Sequence, residues 1–456
     1  MNTQSTTVYR AAILNFLSDP DIDGENAYQF FQDGALVIEN GKVANLGEAS
    51  EVLATLAADV KVVEYKDHLI IPGMIDTHIH YPQVEVIASY GEQLLDWLNN
   101  YTFPAERQFE DKEYASNIAN FFLDELLKCG TTTALVFGTV HKQSVEAFFE
   151  ASEARNTRMI CGKVMMDRNA PEFLCDTPES SYEDSKSLID TWHNNGRQLY
   201  AVTPRFAITS THEQLQKAEQ LLQEYPDVYL QTHISENKDE MAFVAELFPD
   251  AKDYLDVYDQ YNLLGKRSVF AHGIHLNERE HQRFRETGSS VSFCPTSNLF
   301  LGSGLLDIKE LEEQQVAYSV ATDVGGGTSF SMLQTLSEAY KVTQLNGNKL
   351  SALKSLYLAT LGNAKTLQLD DKIGSFKIGN EADFAVLDFN STPLMALKQG
   401  KCKTLAEKLF AMIILGDDRA VQATYVAGNC VHDRDVTIHN DVTIHSDVSV
   451  NSAGEK

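Results

Sequence analysis

The sequence predicts an α/β fold, a (β/α)8 TIM-type barrel carrying a small composite β-sandwich domain formed by both chain ends. Three observations point there. Between Leu69 and Asp323 eight short β-rich runs alternate with stretches of helical spacing, the texture of a parallel sheet covered by helices. The segments on either side lack that alternation and read as strands and turns. Five side chains able to hold a metal also fall at the ends of four of the runs, where barrel enzymes carry their chemistry. The 456 residues suffice for roughly two or three average domains or for one barrel with an addition.

Taken in order, residues 1–71 form the first part of the β-sandwich. Within them Gly34 to Gly47 reads as two strands joined by Asn40-Gly41, a pair that accepts the positive φ angles of a type I′ hairpin turn. Residues 72–366 form the barrel. Its strands are expected at Ile70 to His80, Thr131 to Thr139, Met159 to Met166, Leu199 to Phe206, Val228 to His233, Ser268 to His272, Ser290 to Phe293 and Ala317 to Asp323. A helix is expected over Tyr114 to Lys128, with Ile118, Phe121, Phe122 and Leu126 on one face and Gly130 as its stop. Another is expected to start at Ser210, with Glu213 completing a capping box. After the helical stretch Ser351 to Leu367, residues 367–434 return to the β-sandwich: Ile378 to Leu387 and Ala423 to Val431 alternate like strands of an exposed sheet. The polar tail, 435–456, repeats Asp-Val-Thr-Ile-His, which brings His439 and His445 into register. A weakly ordered end explains them more simply than a metal site.

Composition narrows the function. A formal charge of -28 excludes nucleic acid and anionic membranes as partners, because both demand clustered positive charge. Met1 to Pro20 lacks the basic and apolar regions of a secretion signal, and no run of about eighteen apolar residues follows, so a cytosolic protein is expected. The six cysteines have no Cys-x-x-Cys spacing and read as reduced, packed thiols. That spacing also sets aside the other zinc deaminase design, which needs Pro-Cys-x-x-Cys.

His78 and His80 close the first barrel strand, and residues two apart in a strand share a side, so both imidazoles can grip one ion. His233, His272 and Asp323 end three further strands at the same mouth. Five metal-competent groups so placed are hard to explain by packing. Three residues beyond His233, Glu236 is a candidate for moving protons, and an exposed loop acid or a helix N-terminal charge is its alternative reading.

At these residues the chain resembles the amidohydrolase superfamily, through Pro72-Gly-Met-Ile-Asp-Thr-His-Ile-His80 with His233, His272 and Asp323. More narrowly, Tyr81-Pro-Gln83, Leu94 to Leu98, Tyr101 to Glu106, Thr203 to Phe206 and His233 to Glu240 are similar to its branch that hydrolytically deaminates guanine in purine catabolism. The resemblance spans the chain to about Arg434. It implies one zinc per subunit on His78, His80, His233 and Asp323, with His272 orienting the attacking water rather than holding a second ion. Arg205 stands where two-metal members carry a bridging lysine, and Lys163 lies one strand earlier and is read as structural. The resemblance further implies Glu236, Asp323 and His272 as catalytic groups and guanine and water as substrates. Gln83, Arg205, Phe206, Trp97, His233, Glu236 and Asp323 are the implied guanine-binding residues, and a homodimer is the implied assembly. Arg205 and Gln83 would donate to the O6 acceptor of guanine, with Phe206 stacked on the purine. Surface or core roles stand as the bland alternatives for these three, and Trp97 suits a pocket wall or the core equally. His68, His141, His193, His212, His275, His281 and His432 complete no set and read as packed or solvated. A different class of function, a non-catalytic scaffold on the same barrel, would be expected to have lost metal ligands, and here all are present.

Overall fold

The computed structural model describes residues 6–90 and 93–436; the repeat holding His439 and His445 lies outside them. Two sheets organise the chain. The first joins β1 (Thr6–Phe16), β2 (Tyr28–Glu39), β3 (Lys42–Glu48), β4 (Lys61–Pro72) and, from the far end, β14 (Phe384–Asp388), β15 (Val421–Val426) and β16 (Asn429–Asp433) in the order β16-β15-β14-β4-β1-β2-β3. Both ends of the chain therefore meet in one continuous ladder. Its pairs are antiparallel except β1 with β4, and register shifts mark β1 near Ala11. The β2–β3 turn is the expected Asn40-Gly41, both at positive φ.

Alternation sorts this sheet into two faces. Ile70, Phe384 and Val386 join a core of its own with Tyr9, Ile13 and Tyr425, whereas their neighbours Leu69, Ile71, Ala385 and Leu387 turn into the main core. β14 and β15, buried on every residue, correct the sequence expectation of an exposed sheet, whereas β16 keeps it, with Asn429 and Cys430 exposed. Burial on both faces removes the polar-out positions that such alternation normally reports.

The second sheet is the barrel: β5 (Met74–His80), β6 (Thr131–Phe137), β7 (Arg158–Gly162), β9 (Leu199–Pro204), β10 (Tyr229–Ile234), β11 (Ser268–His272), β12 (Ser290–Phe293) and β13 (Ala317–Val320), all parallel, with the two-residue β8 (Val164–Met165) against β9. The single run expected over 70–80 is two strands. Gly73 is the break: a Cβ there would lie 2.1 Å from the Thr132 hydroxyl, so β4 can hand over to β5 only through glycine. The ring closes between its ends, where Asp323 N–H donates to His78 C=O at 3.0 Å and His80 N–H to Val324 C=O at 2.7 Å.

Two local expectations shift. The helix Lys112–Lys128 buries Ala115, Ala119, Phe122, Leu123, Leu126 and Leu127, and leaves Phe121 41% exposed, so the stripe is turned by one residue. The helix His212–Glu224 is capped by Thr211, which accepts from Gln214 N–H, while Ser210 bonds the Gln214 side chain. Among the described residues no helix is long and apolar enough to cross a membrane.

Candidate active site

Strand ends and the turns just beyond them bring the predicted residues to one place. His78 and His80 project from β5 to the same side, His233 from β10, His272 from the end of β11, and Asp323 from the turn after β13. His272 and Asp323 adopt φ of 72° and 52°, a region that costs side-chain-bearing residues energy and concentrates at functional sites. Asp76, fully buried, holds that turn down: it accepts from the Thr322 hydroxyl at 2.5 Å, from Thr322 N–H at 3.2 Å and from His78 N–H at 3.2 Å.

Four ligand atoms converge. His80 Nε2 lies 3.3 Å from His78 Nε2 and 3.2 Å from His233 Nε2, and Asp323 Oδ1 lies 3.2 Å from His78 Nε2 and 3.4 Å from His80 Nε2. In a tetrahedron with bonds of about 2.0 to 2.1 Å the ligand atoms stand about 3.3 Å apart, and these four separations match that spacing. The protonation states agree. Burial pushes His78, His80 and His233 below the usual imidazole range, leaving the neutral rings a metal needs. His233 Nδ1 donates to Arg205 C=O at 2.7 Å, which leaves the Nε2 lone pair facing inward. Burial would raise the Asp323 carboxyl, but His78 and His272 outweigh it and hold the group ionised.

Among the described residues two groupings of ligand atoms each lie within 4.8 Å of one another: His78, His80 and His233, and His78, His272, Cys294 and Asp323. Cys294 suits a metal poorly, because its thiol is turned to Ser292, donating to that residue's C=O at 3.4 Å. His272 faces acids: its Nε2 is 3.3 Å from Glu236 Oε2 and 3.8 Å from Asp323 Oδ2, while Nδ1 contacts Asn298 Oδ1 at 2.9 Å.

Glu236 is 2% exposed, which removes its surface-acid reading; the helix Lys238–Leu247 is capped by Asn237 instead. Burial, reinforced by Glu240 and Asp323, raises its carboxyl to about 7, where it can both take and give a proton near neutrality. Ser303, which nothing local in the sequence marks, donates to Glu236 Oε1 at 3.0 Å.

One cavity is lined by His80, Gln83, Trp97, Arg205, Phe206, His233, Glu236, His272 and Asp323, with Leu94, Leu98, Ser297, Leu301 and Gly326. His78 lies beneath it, 1% exposed. Arg205 is 3% exposed, so it is not a surface cation, and Trp97 serves both readings, as a pocket wall at 3% exposure within the main core. Lys163 sits apart, buried against Asp176 at 2.5 Å.

A family model described as "Amidohydrolase family" matches residues 69–431. The guanine deaminase of Escherichia coli K12 is 56% identical over 90% of this chain and 93% of its own length, and the probable guanine deaminase of Deinococcus radiodurans is 40% identical over 94% and 99%. Among solved structures, E. coli guanine deaminase superposes with a TM-score of 0.92 at 54% identity, covering 94% of this chain and all of the other. The guanine deaminase from C. acetobutylicum with bound guanine in the active site gives 0.82 at 28% identity over 94% and 100%.

Proposed function

The chain belongs to the amidohydrolase family, and from that premise we infer that it hydrolyses the amino group of guanine, yielding xanthine and ammonia. The observation that carries this reading is one cavity at whose floor four ligand atoms converge, three of them on lining residues and His78 beneath, with a buried carboxyl poised near neutrality and the donors Arg205 and Gln83 on its walls. His78, His80, His233 and Asp323 would hold one zinc per subunit. Bound there, zinc acts as a Lewis acid that lowers the pKa of water from 15.7 to about 7.

The chain's own groups supply the rest. Glu236 takes the proton of the attacking water as its oxygen bonds to C2, and passes it to N3. It then takes the remaining proton of that oxygen and delivers it to the amino nitrogen, so that the C2–N bond breaks, ammonia leaves and the C2 carbonyl of xanthine forms. His272 and Asp323 orient the water, and Ser303 fixes the carboxyl that shuttles the proton. Arg205 and Gln83 bind O6, with Phe206 against the purine face and Trp97 as a wall. Cytosolic placement is supported by six free cysteines, and the homodimer rests on the family resemblance. Ammonia release from guanine, adenine, cytosine and their nucleosides tests the reading. Guanine is expected to be the substrate; a preference for another ring would overturn it.

A further inference from the structure

Glu106 is 0% exposed and sits at the end of Phe103–Glu106, in the helical excursion that follows β5. It does not line the cavity; it touches the two donors that do. Arg205 Nη1 donates to both of its oxygens, at 2.9 and 3.0 Å. Gln83 Nε2 donates to Oε1 at 3.2 Å, and Gln83 Oε1 accepts from Gly325 N–H at 3.3 Å.

Two consequences follow from donor and acceptor chemistry. A carboxylate only accepts and a backbone N–H only donates, so Gln83 is held in one amide orientation that its own symmetry would leave free. Gly325 is required for this, since a Cβ there would lie 2.4 Å from Gln83 C=O. Arg205 spends one nitrogen on Glu106 and keeps the Nη2 and Nε hydrogens that a fork-to-fork pair would consume. The pocket edge is thereby set to donate on both sides.

We propose that Glu106 is a positioning residue that determines selectivity for a purine bearing an oxo group at C6, by fixing Arg205 and Gln83 as a rigid donor pair. This rests on the guanine reading above. A carboxylate that merely stabilised the loop would affect every ring alike. One that sets the donor edge matters only where an acceptor meets it.

The test compares guanine with 2-aminopurine, which keeps the C2 amine and has hydrogen at C6, in the metal-loaded full chain and in Glu106→Gln and Glu106→Asp. For Glu106→Gln, kcat/KM for guanine is expected to fall about 10- to 100-fold through KM. Turnover of 2-aminopurine, or its inhibition constant where turnover is too slow, should change less than about 3-fold. Glu106→Asp should restore part of the guanine activity, with metal content and melting profile recorded for each variant. Equal losses on both compounds, or none on either, would overturn the proposal. An unmutated chain that leaves guanine intact would instead sink the functional reading.

Discussion

The two ends of the barrel treat buried charge in opposite ways. At the foot, Arg158 and Arg197 precede or open β7 and β9 and meet Glu381 and Asp383, which approach β14. Arg158 Nε donates to Glu381 at 2.8 Å, Arg197 Nη2 to the same carboxylate at 2.6 Å, and Arg197 also pairs with Asp383. Two cations face two anions, and the cluster ties the barrel to the terminal sheet. At the mouth three neutral imidazoles and one carboxylate aim lone pairs at a common point, and no proton can satisfy all four. The foot is complete as folded, whereas the mouth needs a cation and a substrate, which is how a site of function differs from one of stability.

Mutations at each end should therefore report on different quantities. The largest effect belongs to Glu236→Gln, expected to cost about 10²- to 10⁴-fold in kcat with metal content and melting unchanged. Near-normal turnover would remove the shuttle role. Next, Glu381→Gln leaves Arg158 and Arg197 short of a partner and should cost about 3 kcal/mol of stability, read by urea unfolding, with kcat unaltered in the folded enzyme; a loss of kcat instead would blur the contrast.

The same pair of proteins tests the pH dependence. Burial would raise Glu381, but Arg158 and Arg197 outweigh it and hold its carboxyl below the ordinary 4.5. A carboxyl depressed in the folded state contributes stability that is complete above about 4.5 and is lost as pH falls through the folded value. The gap between parent and Glu381→Gln should accordingly narrow below pH about 4.5, and a gap independent of pH down to acid unfolding would place its origin elsewhere. The smallest effect is Cys294→Ala: about 1 kcal/mol of stability and no change in metal content. Loss of metal would move the ion toward the second grouping.

Legibility in the sequence followed the distance over which each feature is encoded. His78 and His80 share a strand whose period of two places them side by side, and the other ligands end or directly follow their own strands, so periodicity alone brought them to one mouth. The hairpin at Asn40-Gly41 is likewise local. Glu106 has a role only because Arg205, 99 residues away, reaches it, and Ser303 matters only through Glu236, 67 residues earlier. Neither separation leaves a pattern in one sequence. Phe121 and the Thr211 cap were missed by one residue each, since neighbouring candidates fit a helix face or a cap almost equally well until tertiary packing chooses.

The central claim is one cation at the mouth, held by His78, His80, His233 and Asp323. Strip the protein of metal with a chelator, return zinc in steps, and follow ammonia release from guanine at each. Activity should be absent at the start, rise in proportion to zinc and level off at one ion per chain, while His80→Ala recovers nothing. Full activity in the stripped protein, or a plateau only at two ions, would contradict it.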